Sequence, residues 1–250
     1  MTDKEFLKQY NPNDYERPSV TTDILIFTIS KNFKLQLLLI KRKKNPFIDK
    51  WAIPGGFVNM DESLEEGALR ELKEETGVEN VYLEQLYTFG NPSRDPRMRV
   101  ISVAYLALVS MDKLQISAGD DASEAILFDV ERTSNSISFV NSEHGIRFTE
   151  ENLAFDHKEI IRTALKRLEG KLDYSDIIFE FLENKDCFTL YELRRIYECI
   201  TGEKIHVSNF RRDWISKYIK KGVMEEIDQT THQYSKRAAK CFKYNKQEEN

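Results

Sequence analysis

Runs of apolar residues in the first 150 residues predict strands on both sides of one helix. An apolar run over residues 22–30 is followed by another over residues 35–42, with a short polar turn between them, as in adjacent strands. Later runs of the same kind occupy residues 51–54, 81–88, 100–109, 125–130, 137–140 and 145–148. A helical segment lies between residues 54 and 81, so the pattern indicates an α/β domain.

The pattern changes in the second half of the chain, where helix follows helix. Thr189, with Glu192 three residues later, has the pattern of a capping box at the start of one of these helices. Residues 223–244 alternate as a β-ribbon would. Three helices followed by a ribbon are typical of a winged helix, so we expect a first domain over residues 1–170 and a smaller winged helix-turn-helix domain over 171–250. These three helical segments are residues 175–183, 189–201 and 208–221, and an earlier one at residues 151–169 closes the first domain and bridges to the second.

The helical segment of the first domain carries its own start and stop signals. Ser63 is placed as an N-cap, with Glu66 three residues later as its capping-box partner. Gly77 stands where a residue with a left-handed backbone ends a helix. Residues 56–78 therefore predict a loop, a helix and a second loop.

Helical geometry groups the carboxylates of this segment on one side. Like charges three or four residues apart destabilise a helix by roughly 0.2–0.5 kcal/mol per pair, and a divalent cation would reverse that effect. Mg²⁺ or Mn²⁺ suits such oxygen ligands. The alternative is a solvated acidic face, with Arg70 and Lys73 as counter-charges. At about 100° per residue, Glu71, Glu74 and Glu75 share one arc of the helix beside Gly67. A separate arc, formed by Leu69, Leu72 and Thr76, is expected to face the sheet.

The spacing of residues 56–78 resembles the signature of the Nudix hydrolases at every constrained position. That resemblance implies a Nudix α/β/α sandwich with a mixed sheet, in which water activated by a metal ion cleaves a diphosphate. It implies that Glu71, Glu74 and Glu75 hold the metal, and that Arg70 orients a glutamate. Glu62 is a weaker candidate, for a supporting position beside the metal ligands. The matching positions are Gly56, Glu62, Arg70, Glu71, Leu72, Glu74, Glu75, Gly77 and Val78.

A turn after this segment supplies candidate ligand residues. Arg94 and Arg97 flank an Asp-Pro pair in a run that resembles the loop of ADP-ribose-type Nudix proteins, and a guanidinium binds a diphosphate through two parallel hydrogen bonds. Arg42 is a further diphosphate candidate. The alternative is a plain turn with solvated arginines. The acidic residues Asp120, Asp121 and Glu124 resemble a loop that some ADP-ribose hydrolases place near the metals, which implies Glu124 as a candidate general base.

Positive charge is concentrated near the end of the chain. The net charge is −5 at pH 7, yet residues 204–246 hold 11 basic and 4 acidic side chains. A polar stripe on the helix of residues 208–221, formed by Arg212, Ser216 and Lys220, would face the major groove of DNA if this helix were a recognition helix. Arg211 falls among the apolar positions of the same helix. Lys236 and Arg237 are candidate wing contacts, and a solvated basic helix is the alternative.

Three segments resemble the NrtR family, in which a Nudix-like domain senses a ligand and a winged helix binds operator DNA. They are LAFDH at residues 153–157, FTLYELRRIYE at 188–198 and NFRR at 209–212. Relatives often have Arg-Pro-Ala in the wing, where this chain has Arg237 followed by two alanines. Many such regulators also have a degraded Nudix signature, whereas this one is intact.

Three functional hypotheses follow. One is a Mg²⁺-dependent hydrolase of ADP-ribose, or of a related nucleoside diphosphate derivative, coupled to a ligand-responsive DNA-binding regulator. The others are a non-catalytic ligand-sensing repressor of cofactor or sugar metabolism, and a hydrolase whose second domain makes protein contacts. A two-fold symmetric operator would require a homodimer.

Cysteine usage and hydropathy indicate a cytoplasmic protein without a membrane partner. The three cysteines are far apart and odd in number, with no CxxC pair, so we expect neither a disulfide nor a zinc site. The N-terminal segment is charged and has no apolar core, unlike a secretory signal. The longest aliphatic run is much too short to cross a bilayer.

Overall fold

The computed structural model describes residues 1–116, 122–234 and 236–246. Its main feature is a mixed sheet of nine strands, in which β1 lies centrally, parallel to β6 and antiparallel to β2 and β4. The order along the sheet is β5-β6-β1-β2-β7-β8-β9, with β3 beside β2. The strands are β1 Ser19–Ile29, β2 Leu35–Arg42, β3 Trp51–Ala52, β4 Gly55–Phe57, β5 Tyr82–Phe89, β6 Val100–Leu108, β7 Ala122–Arg132, β8 Ile137–Asn141 and β9 Ile146–Thr149.

Five α-helices complete the described architecture. The first helix, α1, is short and capped, and none of its residues is buried. The sequence pattern did not predict this helix. Among the described residues, no helix is long and apolar enough to cross a membrane. The helices are α1 Asp3–Gln9, α2 Leu64–Thr76, α3 His157–Lys171, α4 Leu190–Thr201 and α5 Val207–Trp214.

Helix α2 begins and ends as its sequence predicts. Ser63 caps it, in a reciprocal capping box with Glu66, and Gly77 ends it in a left-handed conformation at φ 65°. The side that faces the sheet differs by one residue from the prediction. Ala68 is fully buried beside Leu72, whereas Leu69 is 38% exposed. The expectation that Leu69 faces the sheet was wrong, because residues 68, 72 and 76 follow the i, i+4 spacing that fits the sheet.

The two faces of the sheet are covered by different helices. Alternate residues of β1 point to opposite faces, so Ile24 and Ile26 pack with Leu72 of α2. On the other face, Leu25 and Phe27 belong to a core that includes the apolar side of α3. This second core continues without a break into the C-terminal domain, so α3 is shared by both domains.

The C-terminal domain is a winged helix built on α4, α5 and a two-stranded ribbon, β10 Met224–Thr231 and β11 Ala239–Tyr244. Thr189 caps α4 with Glu192, as predicted. Residues 175–183 were expected to form an α-helix, but only Ile177–Phe181 is helical and it is a 3₁₀ turn. Four of these five side chains are buried, which suits a short turn inside the core better than a one-sided α-helix.

Two further features of this domain differ from the sequence-based expectations. Helix α5 continues as a π-helical turn over Ile215–Ile219, where an uninterrupted α-helix was expected. Cys187 and Cys241 form a disulfide, although no disulfide was expected. The fold brings together two residues that are 54 positions apart, and their sequence spacing gave no indication of it.

The carboxylate of Glu150 connects β8 to α3. It is 3% exposed, accepts a hydrogen bond from the Ile137 backbone N–H and forms an ion pair with Arg162. The hydrogen bond from Arg162 is the main reason why the pKa of Glu150 is lowered. A carboxyl group with a lowered folded-state pKa contributes stability above its unfolded pKa and loses it as the pH falls.

We expect Glu150→Gln to lower the free energy of unfolding at pH 7 by about 1–3 kcal/mol, because the ion pair is lost. The difference from the parent protein should shrink as the pH falls below about 4, where the carboxylate becomes protonated. Urea unfolding between pH 7 and pH 3 measures both effects. Glu151→Gln is the control, since Glu151 forms an exposed pair with Lys158 worth at most about 1 kcal/mol. A difference that stays constant with pH would contradict the assignment.

Candidate active site and DNA-binding face

The carboxylate side of α2 lies against the loop that enters the helix. Gly56 comes so close to this side that an added Cβ would stand 2.1 Å from Oε1 of Glu71. Gly67 leaves similar room for Glu62, whose Oε1 would lie 3.2 Å from such a Cβ. The two glycines therefore let carboxylates occupy space that any other residue would fill.

Arg70 holds the carboxylates at the start of this site. Its guanidinium donates to both carboxylate oxygens of Glu62, at 3.1 and 2.9 Å, and to Oε1 of Glu71 at 2.7 Å. A longer contact of 3.5 Å reaches Glu74. Hydrogen bonds from Arg70 lower the pKa of Glu62 to about 2, while burial raises the pKa of Glu71. Arg70 thus contacts the carboxylates of Glu62, Glu71 and Glu74 together, and its role of orienting a glutamate stays a prediction.

The donor set on α2 consists of the oxygen ligands that suit a hard divalent cation. Glu71 and Glu75 are largely buried, with the Glu71 side chain 12% exposed and Glu75 6% exposed, whereas the Glu74 side chain is 55% exposed. Carboxylate oxygens of this kind are the ligands that Mg²⁺ and Mn²⁺ prefer. Within the described ranges, no three such side chains stand in an arrangement that would hold an ion as they are. Arg70 pairs with two of the three, so an ion would compete with it.

A cluster of arginine and aromatic side chains lies where the loop after β2 meets the start of α3. Arg42 stacks 4.9 Å from the ring centre of Phe155, and Arg97 lies 5.8 Å from the same ring and 5.7 Å from Phe57. Phe47 packs edge-on against Phe155 at 4.7 Å. Two of the three arginines predicted to bind a ligand therefore converge on one aromatic platform.

The sequence analysis missed the aromatic members of this platform. Phe47 and Phe155 both have left-handed backbones, at φ 62° and 50°, as does Asp49 at φ 63°. Such conformations cost about 1–3 kcal/mol each in a non-glycine residue and are concentrated at binding sites. The one indication in the sequence was the segment at residues 153–157, which contains Phe155 and resembles the NrtR family.

Arg94 has a different position from the other two arginines. Its side chain is 5% exposed and makes two hydrogen bonds to Asp156, at 2.9 and 2.8 Å, and one to Asp23 at 3.3 Å. The expectation that Arg94 meets a diphosphate is not supported by this placement, because the carboxylates of Asp23 and Asp156 already neutralise its charge. Its sequence context gave no sign of these distant partners.

The candidate general base lies in a cross-strand pair. Glu124 on β7 forms an ion pair with Lys41 on β2, with 3.0 Å between the charged atoms. Its role as a base stays a prediction. Asp120 and Asp121 lie outside the described residues.

Helix α5 separates an apolar side from a polar one, as predicted. Phe210 and Trp214 are buried in the domain core, and Tyr218 continues this side into the π-helical turn. The polar stripe of Arg212, Ser216 and Lys220 is exposed, and so are Arg211, Lys236 and Arg237. Arg211 was placed among the apolar positions of the helix, and that placement was wrong, because the short α-helix and the π-helical turn change the spacing of the side chains.

Comparison with known proteins identifies both domains. A model of the NUDIX domain matches residues 20–145, and a model of the NrtR DNA-binding winged helix domain matches residues 178–244. Over 97% of the chain, the sequence is 34% identical to the ADPR responsive transcriptional repressor NtrR of Acinetobacter baylyi, 88% of which is covered. The chain belongs to the NrtR-type Nudix family.

A second relative matches the Nudix part. The chain is 38% identical to the ADP-ribose pyrophosphatase of Methanocaldococcus jannaschii over 67% of its own length and 83% of that protein. This chain is thus similar in sequence both to a repressor and to an enzyme.

Solved structures match the whole NrtR-type architecture. A MutT/nudix family protein of Enterococcus faecalis is 34% identical, with a TM-score of 0.80 over 98% of this chain and 94% of that one. Shewanella oneidensis NrtR in complex with a 27mer DNA is 31% identical, with a TM-score of 0.70 over 90% and 93%. The NUDIX domain of the same NrtR, complexed with ADP ribose, is 35% identical, with a TM-score of 0.53 over 67% and 99%.

We expect Gly56→Ala to displace Glu71, because the new methyl group would stand 2.1 Å from its Oε1. The free energy of unfolding should fall by about 1–3 kcal/mol, as is usual for overpacking, and urea unfolding measures it. Gly170→Ala is the matched control, since a Cβ at that helical position meets no atom within 4 Å. Equal stability of the two variants would contradict the close packing of Gly56 against Glu71.

Proposed function

We propose that this protein is an ADP-ribose-responsive transcriptional regulator that also hydrolyses ADP-ribose with Mg²⁺ or Mn²⁺. The observation that carries the proposal is the intact acidic side of α2, which shares one chain with an exposed basic face on α5. Residues 1–170 would bind and cleave the ligand, and residues 171–250 would bind operator DNA.

The arginine–aromatic platform supports a nucleoside diphosphate as the ligand. The guanidinium groups of Arg42 and Arg97 suit phosphate oxygens, and the exposed rings of Phe47 and Phe57, 36% and 44% exposed, offer surfaces on which a base stacks. Two relatives are named for ADP-ribose, a repressor and a pyrophosphatase, and this makes ADP-ribose the first ligand to test.

The acidic side of α2 supports hydrolysis. A divalent cation held by Glu71, Glu74 and Glu75 would neutralise the diphosphate and activate the water that attacks it. Arg70 would keep Glu71 in place, since its guanidinium is itself anchored by Glu62. Glu124 would serve as the general base.

The basic face of α5 supports DNA binding. Arg212 is 71% exposed and its described ion pair is with the exposed neighbour Asp213, which costs little to exchange for a phosphate or a guanine edge. Arg211, Ser216 and Lys220 extend this face, and Lys236 and Arg237 would reach the backbone from the wing. A homodimer would match a two-fold symmetric operator.

A second candidate function is ligand sensing without hydrolysis. The observation that favours it is the hold of Arg70 on Glu71 and Glu74, because this contact opposes cation binding. In that case ADP-ribose would bind to the platform and alter DNA binding without being cleaved.

A hydrolysis assay separates the two functions. We expect wild-type protein to release AMP and ribose 5-phosphate from ADP-ribose only with Mg²⁺ or Mn²⁺, and Glu74→Gln and Glu75→Gln each to reduce kcat by at least about 100-fold. Liquid chromatography of the products measures this. Glu79→Gln is the control, because Glu79 lies beyond α2 in an exposed pair with Lys73. If a panel of nucleoside diphosphate derivatives gave no turnover, hydrolysis would be rejected.

A DNA-binding assay tests the regulatory part. After selection of a site from genomic DNA, we expect Arg212→Ala to weaken binding by about 1–3 kcal/mol and ADP-ribose to weaken wild-type binding by roughly 5- to 150-fold. Phe155→Ala should bind DNA normally but respond less to ADP-ribose. Fluorescence anisotropy at fixed salt measures all three effects.

The matched control for this assay is Arg147→Ala, because Arg147 is an exposed arginine on β9 that pairs with Glu131. It should bind the selected site like the wild type. Equal affinities of Arg212→Ala and wild type would remove α5 from the DNA interface. An ADP-ribose response that survives in Phe155→Ala would remove the platform from the ligand site.

A further inference from the structure

Cys187 and Cys241 lie side by side in the winged helix. Their Cα atoms are 5.2 Å apart, inside the range of roughly 4.4–6.8 Å that is usual for disulfides. If the protein binds chromosomal DNA, as proposed above, it works in the reducing interior of a cell. Cysteine pairs that close in such a compartment are usually transient or redox-sensing. A redox role for these two cysteines therefore rests on the proposed function.

Backbone contacts hold the two cysteines together in either redox state. The N–H of Phe188 donates to the carbonyl of Phe242 at 3.0 Å, and the N–H of Phe242 donates back at 2.8 Å. Asn184 fixes the turn before them, because its side-chain oxygen accepts from the N–H of Cys187 at 3.1 Å. None of these contacts involves a sulfur atom, so we expect them to keep the two thiols adjacent after reduction.

The two cysteines differ in access. Cys241 is fully buried, whereas Cys187 is half-buried and lines a cleft of about 530 Å³ between the β1–β2 turn and the winged helix. The third cysteine, Cys199, is not in a disulfide. Burial raises the pKa of its thiol to about 12, which disfavours the thiolate form. Only Cys187 combines access to small molecules with a thiol neighbour.

We propose that Cys187 and Cys241 form a reversible thiol–disulfide site that reacts with low-molecular-weight disulfides. The Cys187 thiolate attacks one sulfur of the reagent and displaces one thiolate, which leaves a mixed disulfide. The Cys241 thiolate then attacks Sγ of Cys187 and displaces the second thiolate. The protein loses two protons and two electrons, and the reagent becomes two thiols.

Closure links the strand β11 to the turn that precedes α4. The linked loop spans 54 positions and includes α4, α5, β10 and the first half of β11. A cross-link of this length stabilises the folded state mainly by restricting the unfolded chain. Oxidation should therefore stabilise the part of the molecule that carries the basic face.

The test uses the full chain, reduced and then equilibrated with oxidised glutathione. After denaturation, the free thiols are labelled with a maleimide and the intact mass is measured. We expect wild type to carry one label, on Cys199, to lose two hydrogens and to hold no glutathione. Dithiothreitol should restore three labels. The melting temperature of the oxidised form should be about 5–10 °C higher than that of the reduced form.

Three serine variants complete the test. Cys199→Ser should behave like wild type in closure and in the rise of its melting temperature. Cys241→Ser should accumulate one glutathione, on Cys187, and Cys187→Ser should accumulate none under native conditions. Circular dichroism and a melting temperature equal to that of reduced wild type establish that each variant is folded.

Wild-type protein that keeps three labelled thiols, or that holds a stable glutathione adduct, overturns the proposed site. Glutathione incorporation into Cys187→Ser would overturn the assignment of Cys187 as the attacking thiol. None of these outcomes affects the DNA-binding proposal. A protein that binds its operator but keeps three labelled thiols would support DNA binding and overturn the thiol–disulfide site.

Discussion

The apolar side of α3 is the interaction on which both domains depend. Ile160, Ile161 and Ala164 are fully buried in a core that runs from the sheet of the Nudix domain into the winged helix. Because an amphipathic helix is stable only when this side is covered, neither domain can be removed without exposing part of the core of the other. The two units are therefore parts of one packed body that share α3.

On the acidic side of α2, the guanidinium of Arg70 and a divalent cation would compete for the same carboxylates. Arg70 already neutralises Glu71 and contacts Glu62 and Glu74, so a cation must offer the carboxylates more than the guanidinium does. A divalent ion has twice the charge in a smaller volume and accepts several oxygen ligands at once. A chain with the intact acidic set can still differ from an active enzyme, because the outcome depends on this competition and not on the presence of the glutamates alone.

Local signals were sufficient to predict much of the fold, whereas distant contacts were not. Ser63, Gly77 and Thr189 were assigned correctly as helix ends, because capping depends on residues within one turn. The arginine–aromatic platform and the disulfide were missed, since they join segments that are remote in sequence. The same is true of Arg94. Its local sequence predicted a charge that could bind a ligand, whereas the fold places Asp23 and Asp156 beside it. Sequence identifies the chemical groups of a site more readily than it identifies their partners.

The position of α3 also connects the cluster of Arg42, Arg97 and Phe155 to the helices of the winged helix. Phe155, on the platform, comes two residues before the helix, whose first residue, His157, accepts a hydrogen bond of 2.8 Å from the Ile53 backbone N–H near the entry to the acidic site. At the other end, the carbonyl of Leu172 accepts a hydrogen bond of 2.7 Å from Lys217, in the π-helical turn that continues α5. A ligand shifts an equilibrium only as far as it favours one arrangement over another. A displacement of Phe155 would therefore act on the same helix whose other end contacts the π-helical turn after α5.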